Sequence, residues 1–317
     1  MNHPHPSGFI VANGTVGVKE PNVTRFLTSV PGRVVKLVVL TYEKGRQSSL
    51  GTSSSGKCPR SFHWQEPLSR LYSSAYKMFG LAASPNAIGY DVIGRKKRYL
   101  HRFRNIVDQR VEALHSETIN AMWHILNCKM ASLSGDVLNN NYMSVNASSG
   151  LEACLGSRIR SVKVSTLSLS LLANVLSRDR DLIVVHVVRD PRSLMAVRNI
   201  PTPMLRIILP VTCDRMRQDI RTYHAVTRRH PRRLIQVRYE DLVAEPNKRA
   251  VRFVDLPCDF DNIDLLTLYA AKAGESRNSS ASGLIERWHR SVPMGDIKKS
   301  LMDCHDVLVH YGYDIEV

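Results

Sequence analysis

The stretch Leu182-Ile183-Val184-Val185-His186-Val187-Val188-Arg189-Asp190-Pro191-Arg192 decides the fold class. Its first seven residues are apolar except for His186, and five of them are β-branched. A run of that length and composition predicts a strand buried on both faces, the habit of parallel sheets covered by helices. The strand stops at Arg189-Asp190-Pro191, and Pro191 fits the first turn of a following helix. Sheets of this kind bind ligands at the carboxyl ends of their strands. Arg189 falls at such an end, where a guanidinium can hold a phosphate bidentately. The competing use is structural, an ion pair of Asp190 with Arg189 or Arg192.

Working outward, Val34–Thr41 (VVKLVVLT) is a second buried strand, and Ile159–Val164 and Leu234–Arg238 are two more. Thr166–Leu176 reads as a helix with a Thr or Ser near its start. Thr212–Arg229, a segment from about Ala244, Asn262–Lys272 and Asp296–Tyr311 read as further helices. Residues 1–32, rich in Pro, Gly, Asn and Thr, read as a flexible N-terminal arm, and residues 33–317 as one domain. Strands alternating with helices predict an α/β fold around a central, mainly parallel sheet.

Five short segments carry groups suited to chemistry. Thr41–Thr52 (TYEKGRQSSLGT) follows a buried strand; its amides and hydroxyls can cradle a phosphate, with Lys44 or Arg46 to neutralise it. Gly51–Cys58 (GTSSSGKC) nearly matches the nucleoside-triphosphatase loop, but Cys58 replaces the magnesium-binding hydroxyl. The strand also ends ten residues too early for that motif. Phe62–Leu68 (FHWQEPL) sets Glu66 before Pro67, which predicts an extended backbone there and offers a carboxylate as general base. His63 and His101 are weaker candidates for that role. In Arg238–Leu242 (RYEDL), Asp241 can cap the next helix and Glu240 can pair with Arg238. Ser276–Ser279 (SRNS) presents Arg277 to an anion.

The chain has 317 residues, 44 Lys and Arg against 28 Asp and Glu, and a net charge of +16. With 43% hydrophobic residues it is a folded basic protein with anionic partners, not a disordered polybasic chain. The charge is spread: residues 1–150 hold a surplus of ten cations. Arg95–Arg104 and the eight arginines between Thr212 and Arg238 suit a polyanion or a solvated helix face. No zinc-finger spacing and no RNA-binding signature accompany them. No apolar run approaches the ~20 residues of a membrane span. Six widely spaced cysteines permit disulfides without requiring them. Four N-x-S/T sequons, at Asn13, Asn22, Asn146 and Asn278, weakly favour a secretory compartment.

The order of these motifs resembles the Golgi carbohydrate sulfotransferases, most closely the group that sulfates the 6-hydroxyl of galactose, N-acetylglucosamine or N-acetylgalactosamine. The resemblance runs from about Val34 to Tyr313, and VVHVVRDPR followed by RYEDL is its most specific part. It implies a P-loop-like sulfotransferase fold that takes 3′-phosphoadenosine 5′-phosphosulfate as co-substrate and a glycan as acceptor, without a metal. By resemblance, Gly45, Arg46, Gln47, Ser48 and Ser49 line the 5′-phosphosulfate loop, with Lys44 or Arg46 supplying its charge. Arg189 holds the 3′-phosphate, Arg277 and Asn278 close over the nucleotide, and Glu66 takes the proton of the sugar hydroxyl. The family's Golgi location comes with the resemblance, but no anchor or signal peptide is read here. Nucleic acid is not an expected partner.

The sequence departs from the family's pattern at Gly45, where an arginine is usual, at Gln47 in place of a glycine, at Val197 in place of a serine, and at His289 after Trp288. A Gln47 side chain crowds a loop that needs close backbone approach. An alternative reading is therefore a sulfotransferase-fold protein that binds acidic glycans with little or no catalysis.

Overall fold

Five strands, the central ones buried on both faces, align in parallel. They are β3 (Val35–Leu40), β4 (Ser61–Gln65), β5 (Ile159–Val164), β6 (Leu182–Val188) and β7 (Leu234–Arg238). The computed structural model describes residues 10–12, 15–17, 34–42, 61–68, 104–133, 147–165, 167–193, 202–244 and 294–315. The strand order is β4-β5-β3-β6-β7, with the first parallel strand in the centre, a P-loop-like arrangement. Within the N-terminal segment, β1 (Ile10–Ala12) and β2 (Thr15–Gly17) pair as an antiparallel ribbon.

The described helices are α1 (Arg104–Leu126), α2 (Ala147–Leu155), α3 (Leu169–Arg178), α4 (Thr202–Arg229), α5 (Tyr239–Ala244) and α6 (Met294–Tyr311). Register sets Val38 opposite Val162 and Val184, Trp64 opposite Val162, and Leu234 opposite Val184, so all five share a face. That face packs against Met122, Ile125 and Leu126 of α1 and Leu172 and Leu176 of α3. The opposite face, with Leu37, Val39, Ile183, Val187, Ile235 and Val237, is buried as well. A second cluster joins α4 to α6 through Met216, Ile297, Val307 and Leu308 and meets the sheet at Tyr42 and Val188.

Among the described residues, two disulfides fasten these layers. Cys128–Cys154 ties the end of α1 to α2, and Cys213–Cys304 ties α4 to α6 across 91 residues. In the chain-entropy account a closed loop of that length is worth about 4–5 kcal/mol.

The structure adds to the expected elements and moves some of them. Ser61–Gln65 is a fifth strand beyond the four expected. Arg104–Leu126 and Ala147–Leu155 are helices that no sequence pattern singled out. The helix expected from Thr166 begins at Leu169 instead, where the Ser168 hydroxyl accepts the amide of Leu171 as its cap. The basic helix runs back through Pro210 to Thr202, and burial of Leu209 and Cys213 offsets the hydrogen bond that Pro210 cannot make. Tyr239–Ala244 is already helical, so Glu240 and Asp241 lie in its first turn and the helix starts earlier than about Ala244.

Candidate active site

The carboxyl ends of the five strands deliver Tyr42, Glu66, Ser165, Arg189 and Tyr239 to one edge of the sheet. Two clusters of charge form there. One belongs to β4 and β5, the other to β6 and β7, roughly 14 Å apart at three strand spacings.

The first cluster is built around Glu66. Its amide donates to the Lys163 carbonyl at 2.9 Å, continuing the ladder one residue past β4. Its carboxylate accepts the Ser165 amide at Oε2, 3.2 Å away, and faces the Lys163 ammonium at 3.9 Å from Oε1. Both charged side chains are buried. The backbone of Glu66 has φ 48°, in the left-handed region, not the extended conformation expected of a residue before proline. The ladder bond and the carboxylate's contacts with β5 hold it there. A strained, buried carboxylate fixed at a ligand edge is the form a positioned base takes.

The second cluster is built around Arg189, whose guanidinium carbon lies 4.5 Å from the centre of the Tyr239 ring. Beneath it, Glu240 accepts the Asp190 amide at 3.0 Å and the Tyr313 hydroxyl at 3.1 Å. Burial pushes the Glu240 carboxyl above the ordinary range, against the pull of the backbone amides and of Arg189. Glu240 thus serves the Asp190 turn and Tyr313, where pairing with Arg238 had been expected. Asp190 takes Arg192 as its ion-pair partner at 2.8 Å, and Arg192 also donates to the Asp314 carbonyl at 2.7 Å. Arg192 is therefore structural. The Ser193 hydroxyl donates to the Asp190 carbonyl at 2.7 Å, which commits it to the turn.

Between and below the clusters runs a buried polar chain. Gln236 Nε2 faces His186 Nδ1 at 3.2 Å, and His186 Nε2 faces the Tyr42 hydroxyl at 2.8 Å. That hydroxyl donates to Asp219 Oδ2 at 2.9 Å, and Asp219 Oδ1 accepts the Leu169 amide at 2.9 Å. Complete burial lowers the His186 pKa to about 3, so the ring is neutral. A proton on Nε2 satisfies every link, because Nδ1 then accepts from Gln236. Arg215, on α4, donates to the Ser165 carbonyl at 2.7 Å and lies 5.4 Å from the Tyr42 ring centre. Tyr42 is anchored from three sides at the residue before Glu43 and Lys44.

Of the expected site residues, the structure brings Glu66 and Arg189 to the same edge. Lys44, Gly45, Arg46, Gln47, Ser48, Ser49, Arg277 and Asn278 lie outside the described residues, as do His101, Val197 and Trp288. His63 Nδ1 is 2.9 Å from the Ser161 hydroxyl, a packing role within the sheet. Sequence reasoning missed Lys163, Tyr239 and the Tyr42–His186–Asp219 chain. Lys163 had a signal: it is a charge inside the otherwise apolar strand end Val162-Lys163-Val164. Among the described residues no cluster of His, Cys, Asp or Glu is arranged to hold a metal ion, and no helix is long and apolar enough to cross a membrane.

No family model matches the chain. No curated protein matches it either. Among solved structures it is similar to the sulfotransferase domain from the Synechococcus PCC 7002 olefin synthase, at 16% identity over 89% of this chain and 96% of that one, with a TM-score of 0.45. It is also similar to the sulfotransferase domain from the curacin biosynthetic pathway, at 15% identity over 90% of this chain and all (100%) of that one, with a TM-score of 0.41.

Proposed function

We propose that the protein is a sulfotransferase that moves a sulfuryl group from 3′-phosphoadenosine 5′-phosphosulfate to a sugar hydroxyl, the 6-hydroxyl of a hexose or N-acetylhexosamine in a glycan. The observation that carries the reading is the pairing of a fixed carboxylate, Glu66, with a stacked arginine, Arg189, on one strand-end edge. Their separation of roughly 14 Å suits a nucleotide lying across the edge between them. The ordered motifs from Val34 to Tyr313 supply the donor and the acceptor class.

The chemistry balances with this chain's residues. Glu66 takes the proton of the acceptor hydroxyl as its oxygen attacks sulfur. The sulfur–oxygen bond to the 5′-phosphate breaks, and 3′,5′-adenosine bisphosphate leaves with the electron pair. Positioning and charge neutralisation do most of the work in such in-line transfers. Arg189 holds the 3′-phosphate and is braced by Tyr239. The Cys128–Cys154 and Cys213–Cys304 bonds support residence in an oxidising secretory compartment, in keeping with a Golgi role.

The test is transfer of labelled sulfate to a panel of galactose- and N-acetylhexosamine-containing glycans. The expected result is turnover that Glu66→Gln lowers by about 10²–10⁴-fold while binding of 3′,5′-adenosine bisphosphate is spared. Nucleotide binding without turnover on any acceptor supports the alternative, a non-catalytic glycan-binding protein. Absence of nucleotide binding by folded protein rejects the sulfotransferase reading.

A further inference from the structure

The opposite edge of the sheet, where the strands begin, gathers a different set of charges. Arg158 directly precedes β5, Arg180 lies two residues before β6, and Arg232 lies two residues before β7. Helices α3 and α4 return to the same edge and end in Arg178 and in Arg228-Arg229. Backbone bonds knit the segments together: Val35 donates to the Arg158 carbonyl at 2.8 Å and Val184 to the Arg233 carbonyl at 2.8 Å. Lys129, just past α1, joins them.

Some cations here have structural work. Arg160 donates to the Leu126 carbonyl at the end of α1, at 3.3 Å. Arg233 donates to the Leu176 carbonyl at 2.9 Å and the Asp179 carbonyl at 2.8 Å, closing the end of α3. Lys36 pairs with buried Asp179 at 2.6 Å. Among the exposed cations, Arg178 donates to the Asn120 side-chain oxygen at 2.9 Å and Lys129 lies 4.2 Å from the centre of the Trp123 ring. Arg158, Arg180, Arg228 and Arg229 are exposed, and among the described residues none has a carboxylate partner. Positive charge is dense here: after burial, the charges of Arg233 and Arg229 hold the His230 imidazole below its ordinary range, and Arg180 opposes the charge on Arg233 while Asp179 and Asp181 support it. Like charges gathered on one face cost stability unless a counter-charge is supplied.

We propose that the amino edge of the sheet is a docking surface for a sulfated, linear glycan, separate from the strand-end site by roughly 20 Å, the length of a seven-residue strand. The inference does not depend on the transfer chemistry. Guanidinium groups, which dominate the edge, are planar forks that donate two N–H bonds to a pair of oxygens on a sulfate or a carboxylate. No exposed large hydrophobic side chain among the described residues is aromatic, and the half-buried Trp123 near the edge carries the Lys129 ammonium over its ring, so nucleic-acid bases find little to stack on. The disulfides fit a compartment where sulfated glycans are met and nucleic acids are not. Leu155 is the large exposed apolar side chain close to the edge in sequence, three residues before Arg158, too little apolar area to seat a helix face in a membrane.

The test is binding of a heparin oligosaccharide to the full chain across a salt series. For the triple variant Arg180→Glu, Arg228→Glu and Arg229→Glu, the expected result is affinity lowered by about tenfold or more and a shallower dependence on log salt. Lys298→Glu, an exposed charge reversal on α6, is expected to change affinity by less than about twofold. Arg229→Gln alone, with melting as the check on folding, reads the same effect if the triple variant fails to fold. Wild-type affinity in the variants, or an equal loss per charge in Lys298→Glu, overturns the proposal. So does tighter, equally variant-sensitive binding of duplex DNA or of anionic phospholipid vesicles.

Discussion

The buried cations at one edge of the sheet and the exposed cations at the other put the same residue types to opposite uses. At the carboxyl edge Lys163, Arg192 and Arg215 are buried, and each faces a fixed acceptor: the Glu66 carboxylate, the Asp190 carboxylate and the Ser165 carbonyl. At the amino edge Arg158, Arg180, Arg228 and Arg229 stand in solvent with no carboxylate beside them among the described residues. A desolvated cation must be answered by the protein itself, whereas a solvated one is free to answer a partner. Burial, more than residue type, therefore separates an arginine that builds the site from one that recruits to it.

The largest effect expected from this contrast is on stability. Lys163→Met leaves Glu66 facing an apolar side chain at a position where both groups are buried. Removing one member of a buried pair costs about 3–5 kcal/mol. At the amino edge, Arg228→Gln is expected to change stability by less than about 0.5 kcal/mol. Urea unfolding of the two variants measures both. Equal costs would erase the distinction between the edges. The double variant Lys163→Met with Glu66→Leu should recover most of the loss, because no buried charge then remains.

A smaller effect is expected on ligand binding. Arg189→Ala should weaken binding of 3′,5′-adenosine bisphosphate by about 1.5–3 kcal/mol, the scale of a hydrogen bond to a charged group. Calorimetry reads the change. Tyr239→Leu, which removes the ring under the guanidinium, should cost about 0.5–2 kcal/mol of the same binding. Unchanged affinity in Arg189→Ala would move the anion site away from β6.

What the sequence made legible follows the same physics. Leu182–Val188 was readable to the residue because burial on both faces favours a nearly unbroken apolar run, and Ile159–Val164 and Leu234–Arg238 were readable from β-branched and apolar residues set between polar ones. Ser61–Gln65 was not, since His63 and Gln65 interrupt the pattern and its apolar pair, Phe62 and Trp64, lies on one face. In α1, Leu114, Ile119, Met122, Ile125 and Leu126 pack on the core at helical spacing, a stripe diluted in the sequence by His115, Ser116, Asn120 and His124. Glu66 and Arg189 were reached through motif order, and Arg189 also through its place at a strand end. The Tyr42–Asp219 bond joins residues 177 apart, and no local pattern encodes such a meeting. The left-handed turn at Glu66 was hidden for a similar reason: tertiary bonds to Lys163 and Ser165 override the preference set by Pro67.

The polar chain beneath the site yields the last expectation, and it sets the edges apart by pH. Folded His186 takes a proton only near pH 3, because burial penalises the charged ring. In the unfolded chain an imidazole takes it near pH 6.5. Between those values the unfolded state binds more protons, so stability falls as pH falls, by about 1.4 kcal/mol per unit and about 2 kcal/mol by pH 5. His186→Gln cannot take that proton, so the difference in slope between wild type and variant isolates its share from that of His230 and His310, whose pKa values are also lowered. Urea midpoints measured at pH 7, 6 and 5 give both slopes, and identical slopes would refute a neutral buried His186. The arginines of the amino edge keep their charge throughout this range. Heparin affinity should therefore stay within about twofold from pH 7 to pH 5.5 while the carboxyl edge loosens. A loss of heparin affinity that tracks the His186 window would instead place the glycan contact on the strand-end side of the sheet.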